Sequence, residues 1–76
     1  MNSETILTKV KIRNGVNIWD ARNYCKRILN EVEDPRVMEG RGWQMLTMFP
    51  TDHHFLFDES LLPEGFLLMF ILKYGG

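Results

Sequence analysis

The sequence predicts an α+β domain of order β-α-β-β, with one amphipathic helix packed on a small, mainly antiparallel sheet. Three observations predict it. Residues 5–13 alternate like a strand, residues 18–32 carry an apolar stripe at three- and four-residue steps, and two more apolar stretches follow at 43–49 and 66–74, divided by proline and glycine. Seventy-six residues make one domain, taken as 1–76 with residues 1–4 as a frayed terminus.

In the first stretch Ile6, Val10 and Ile12 share a face, with Thr8 between them, and Thr5, Lys9, Lys11 and Arg13 share the other. This is a half-buried strand with a basic outer face, interrupted by Leu7. Asn14-Gly15 signals a turn. Asn17 then caps a helix, with Asp20 three residues on, and Ile18, Ala21, Cys25, Ile28, Leu29 and Val32 form its buried stripe. Pro35 disfavours helical geometry in the residue before it, so the helix should end near Asp34. Trp19 and Tyr24 lie off the stripe and either widen its buried face or serve as partly exposed anchors, with a subunit interface ranked first.

Residues 35–42 form a connector in which Gly40 and Gly42 flank Arg41. Trp43, Met45, Thr47 and Phe49 alternate with Gln44, Leu46 and Met48 in a second strand, which Pro50 stops. The segment 51–64 contains Phe55-Leu56-Phe57. It is open to three assignments: an extension of the second strand, a short strand of its own, or a loop folded back on the sheet. After the Pro63-Glu64-Gly65 turn, Phe66 to Tyr74 is expected to be the final strand, apolar on both faces. Phe66, Leu68, Phe70 and Leu72 would point to one side, and Leu67, Met69 and Ile71 to the other.

A strand that is apolar on both faces is normally covered on both. One helix covers one face, so the second needs either the 51–64 segment or another subunit, and a homo-oligomer is the preferred expectation. Size points the same way. A domain this small buries only about 60–65% of the surface its unfolded chain exposes, and such chains usually need a staple. Cys25 is the only cysteine, which excludes an internal disulfide and a cysteine-based zinc site, and His53 and His54 are adjacent and unsuited to chelating one ion from an extended backbone. No metal and no cofactor is expected.

Nine basic and ten acidic residues give a formal charge of −1, which makes nucleic acid an unlikely partner. The longest apolar run, 66–72, is far short of the roughly 20 residues of a membrane-spanning helix, and residues 1–9 lack the apolar core of a signal peptide. The expected compartment is the cytoplasm.

No catalytic set is recognisable. Asp52-His53-His54 is the only local cluster suited to acid–base work, but a histidine pair without a nucleophile is more often a polar hairpin. The candidate ligand contacts are Lys9, Lys11 and Arg13 on the basic strand face, Arg41 between its glycines, Trp43 as a stacking surface, and His53 and His54. The expected interface is Trp19, Tyr24, Leu67, Met69 and Ile71. Plainer explanations stand beside these: for Lys9, Lys11 and Arg13 a charged strand edge that deters aggregation, and for Arg41 a flexible entry to the second strand.

Gly-Arg-Gly-Trp-Gln-Met-Leu-Thr-Met at residues 40–48, after a basic alternating strand and a capped helix, resembles a family of very small β-α-β-β domains from bacteria and their phages. Members place a Gly-Trp pair between the helix and the next strand, which Gly42 and Trp43 match. The likeness covers residues 5–74, with a longer connector around Pro35 and Arg36 and a more elaborate 50–65 segment. It implies a fold and carries over no catalytic residue. By analogy with phage proteins of this size, the expected function is a non-enzymatic, homo-oligomeric binding protein acting against a host factor, by binding a host protein or sequestering a nucleotide signal. The alternatives are a structural subunit of a larger assembly and, less favoured, a His-dependent phosphodiesterase.

Overall fold

Alternation of apolar and polar side chains sets the first strand, β1 (Leu7–Lys11), in which Thr8 and Val10 turn inward and Lys9 and Lys11 outward. The computed structural model describes residues 7–29, 36–48 and 52–76; the expected frayed terminus, Ile6, Val32, the helix end near Asp34, Phe49 and Pro50 lie outside them. Helix α1 (Ile18–Ile28) starts at Asn17, whose side-chain oxygen accepts from the Trp19 N–H at 2.8 Å. That bond satisfies one of the amide groups left free at a helix start. The stripe buries Ile18, Ala21 and Cys25 as expected. Tyr24 is buried with them while Ile28 is exposed.

A two-residue strand, β2 (Glu39–Gly40), turns at Arg41-Gly42 into β3 (Trp43–Met48). The 51–64 segment resolves into strand β4 (Asp52–Asp58) and a 3-10 turn (Glu59–Leu61), capped by the Asp58 carboxylate, which accepts from the Ser60 N–H and hydroxyl. The sheet is open and antiparallel, ordered β1-β4-β3-β2. The segment with the most ambiguous sequence is thus the central strand, paired with β1 on one side and β3 on the other.

The α+β class holds, but the last element is a correction. Residues expected as a strand form helix α2 (Phe66–Tyr74). A run that is apolar at nearly every position has no period to distinguish strand from helix. Composition leaves the choice close, with three leucines, a methionine and a lysine against Ile71 and three aromatics, so packing decides it. Once helical, Phe66, Phe70 and Tyr74 fall on one side, one turn apart, and meet Tyr24 of α1 at ring-centroid distances of 5.7, 6.3 and 5.5 Å. After α2 the chain runs antiparallel to the end of β1, through Arg13 N–H to Tyr74 O and Gly76 N–H to Lys11 O.

Both helices lie on one face of the sheet. The core there joins Val10, Ile12, Trp43, Met45, Phe55 and Phe57 to Ile18, Ala21, Tyr24, Cys25, Phe66 and Phe70. The opposite face carries Leu7, Lys9, Lys11, Gln44, Leu46, Asp52, His54, Leu56 and Asp58 at alternating positions. It is mixed and largely polar, so the sheet is not apolar on both faces. The apolar surplus lies on α2 instead.

Helix and strand make opposite demands at positions 70 and 72. Phe70→Ala is expected to cost about 3–5 kcal/mol in urea unfolding of the dilute protein, and Leu72→Ala less than about 0.5 kcal/mol. A strand would point both side chains the same way, so equal costs would overturn the helix. Gly15 and Gly42 both have positive φ, at 89° and 87°. An alanine in that region costs about 1–2 kcal/mol from backbone strain alone. Gly15 has open space where a Cβ would go, whereas at Gly42 it would meet Leu61 Cβ at 3.0 Å. Gly42→Ala is therefore expected to lower the melting temperature more than Gly15→Ala.

Candidate functional site

Strand β4 settles where the two histidines go. Successive side chains of a strand point to opposite faces, so His53 turns to the helix side with Phe55 and Phe57, and His54 to the opposite face, where its neighbours leave it only 9% exposed. The two cannot act on one substrate as a pair. On that face His54 stands opposite Lys11 of β1 and Leu46 of β3, and its Nε2 lies 3.4 Å from Asp52 Oδ1. That is longer than the roughly 2.8 Å of a charge-assisted hydrogen bond, and Asp52 is half exposed, so the contact orients the ring weakly. Lys9 and Lys11 are exposed beside it, with Asp52 and Asp58 on the same face. The result is a mixed-charge surface rather than a basic stripe.

His53 and Arg13 come together on the other side. The Ile12 N–H donates to the His53 carbonyl at 2.9 Å, which fixes the end of β1 beside the start of β4. There a cavity of about 300 Å³ is lined by Ile12, Arg13, Asn14, Gly15, Val16 and His53. The guanidinium of Arg13 is tethered by a 2.6 Å bond from one terminal nitrogen to the Lys73 carbonyl. His53 Nδ1 is buried and has no hydrogen-bond partner.

Other expected contacts do not join them. Arg41 sits in the β2–β3 turn, at the far edge of the sheet from β1, where it borders a groove with Ile28, Ser60, Leu61 and Pro63. Trp43 is a correction: only 3% exposed, its ring lies 6.1 Å from that of Phe55 and fills the core, so it offers no face for stacking. Tyr24 is likewise core, because α2 packs onto it, and it is withdrawn from the expected interface. Trp19 is exposed, with the Arg22 guanidinium 5.8 Å from its ring centre.

The remaining interface residues change company. As a strand, Leu67, Met69 and Ile71 would share one face. On the helix Leu67 is half-buried against the core while Met69 and Ile71 are exposed. Leu68 and Leu72, assigned to the opposite strand face, are the most open of all at 63% and 65%. Testing the run at a four-residue step would have separated 66, 70 and 74 from 68 and 72. No such signal marked Asn14 and Gly15 as cavity lining, since a turn dipeptide says nothing of what stands opposite it.

Among the described residues no group of three or more His, Cys, Asp or Glu side chains is placed to hold a metal ion, and no helix is long and apolar enough to cross a membrane. No protein-family model matches the chain, and comparison with curated proteins and with solved structures gives no match.

Burial raises the Tyr74 phenol above its ordinary value of 10.0, partly opposed by the Arg27 guanidinium. The unfolded chain therefore ionises Tyr74 at lower pH than the folded one. The resulting stability is fully present below about pH 10 and is lost as pH rises through the folded value. Tyr74→Phe is expected to flatten the fall in melting temperature above pH 10, and an unchanged alkaline slope would remove Tyr74 as its source.

Proposed function

We propose that this chain is a non-enzymatic binding domain that works as a homo-oligomer, its subunits joined through α2. The observation that carries this is the exposed side of α2. A helix that is apolar all round is normally buried all round, yet Leu68, Met69, Ile71 and Leu72 lie open to solvent. Beside them runs a groove of about 480 Å³ between α2 and the 59–65 connector, lined by Leu62, Pro63, Ile71 and the acids Glu59 and Glu64.

Charge selects a second copy as the occupant. Glu64 precedes α2 and Lys73 stands in its last turn. Two copies packed antiparallel about a two-fold axis oppose the helix dipoles favourably and bring Leu72 to the partner's groove, and each Lys73 would reach the other's Glu64 by leaving its place 5.8 Å over the Tyr24 ring centre. A nine-residue helix is about 13 Å long, so such a pairing uses all of it. The area is several hundred Å² per subunit, which places the pair near or below the roughly 1,200 Å² that marks the low end of specific interfaces. The association is accordingly reversible and concentration-dependent.

Light scattering over a wide concentration range tests this. A monomer–dimer equilibrium is expected, abolished by Leu72→Glu and weakened by Lys73→Glu. Restored association on adding Glu64→Lys to Lys73→Glu would fix the antiparallel sense. A monomer at every concentration would sink the proposal. Solubility gained only by co-expression with a different chain would overturn it too, in favour of a structural subunit of a larger assembly.

A further inference from the structure

We infer that the cavity between the β1–α1 loop and the start of β4 is a binding site for a phosphoryl group, with Arg13 and His53 as its principal contacts. This stands independently of how subunits associate. Three observations converge. The cavity holds about 300 Å³, ample for a tetrahedral oxyanion and the beginning of whatever carries it. Among the described residues no acidic side chain lines it; the charged one is Arg13, and the other polar side chains are Asn14 and His53. And the imidazole of His53, which lines the cavity, has a buried nitrogen that nothing in the protein satisfies.

That unpartnered nitrogen decides what the ring offers. With no acceptor near Nδ1, a proton there would be a buried donor without a partner, which is the costlier arrangement. A proton on Nε2 instead makes Nε2–H the ring donor offered to a ligand. Arg13 is already oriented, because its bond to the Lys73 carbonyl holds the guanidinium while leaving other N–H groups to donate. A guanidinium held in this way suits phosphate oxygens better than a mobile ammonium does. The loop adds backbone donors: among the described residues, the N–H groups of Asn14 and Gly15 reach no main-chain carbonyl, while their neighbours Arg13 and Val16 do. Gly15, at φ 89°, lets the chain turn there with no Cβ against the cavity. Arginine, an imidazole N–H and free turn amides make a donor set for an oxyanion. A phosphoryl group, with three or four oxygens to share among them, uses that set more fully than a carboxylate with two.

The test is a titration of the full chain with inorganic phosphate at constant ionic strength, followed by amide and imidazole NMR shifts, with chloride as the control. Saturable changes confined to residues 13–16 and 53 are expected. Arg13→Gln and His53→Gln should each weaken phosphate at least tenfold, whereas Lys11→Gln, on the opposite face of the sheet, should leave it unchanged. A parallel titration with adenosine monophosphate separates the sources of the group. Tighter binding than phosphate by tenfold or more assigns the site to a nucleotide, and equal binding assigns it to the phosphoryl group alone. Shifts that rise without saturating, or that centre on Lys9 and Lys11, would overturn the inference, as would unchanged affinity in both folded variants. If Arg13→Gln loosens the end of α2 and the protein unfolds, His53→Gln alone decides.

Discussion

The fold hangs on the contact between β4 and α2. Phe55 and Phe57 project from the central strand, Phe66 and Phe70 from the helix, and their rings meet at centroid distances of 4.8 to 5.9 Å. Aromatic pairs in this range add about 0.5–1.5 kcal/mol each to what their burial provides. Phe55, Phe57 and Phe70 are completely buried. Because β4 has a neighbour on either side, whatever fixes its facing fixes the facing of β1 and β3 as well. A slip of one residue would turn the phenylalanines out and bring His54 and Leu56 in. The same block also decides which side of α2 is left bare.

Two consequences at the surface follow from that one facing. His53 must lie on the helix side, at the edge of the core, and there it meets the turn after β1. His54 must lie on the opposite side, between Lys11 and Leu46. Two chemically identical neighbours in sequence are thus assigned to unrelated environments, one a cavity with a tethered arginine, the other a mixed-charge sheet. The pleat of the strand divides the sequence cluster Asp52-His53-His54: Asp52 and His54 stay together, 3.4 Å apart on one face, and His53 goes to the other.

Much of the architecture was legible in the sequence where local chemistry and long-range packing agree. The alternation of β1 and β3, the Asn17 cap and the Ile18–Ala21–Cys25 stripe all read correctly because each pattern has a period and a boundary. Residues 66–74 have a boundary but no period, and there the strand assignment failed. Tyr24 was misplaced for the same reason: without a second helix, nothing in the sequence called for an aromatic on that side of α1. Arg13 and His53 were both legible as basic residues suited to binding a ligand, but their proximity was not. It depends on the β1–β4 register, which joins segments far apart in sequence and is set by the phenylalanines rather than by the loop. Trp43, beside its glycine, carried no mark to separate a core ring from a stacking platform.

The bare side of α2 is the complement of its buried side. A nine-residue helix packed across one small sheet can bury about one side of itself, and Phe66 and Phe70 take that place with help from Leu67 and Tyr74. A helix stable only through that contact would normally carry polar groups on its outer side, as α1 does with Asp20, Asn23 and Arg27 beside the exposed Trp19 and Ile28. Leu68, Met69, Ile71 and Leu72 break that rule together, on adjacent positions of one element, while the outer face of α1 and the open face of the sheet keep it to a large extent. Core packing gives no reason for those four residues, since none of them belongs to the core cluster. The pairing of subunits through α2 proposed above would supply such a reason.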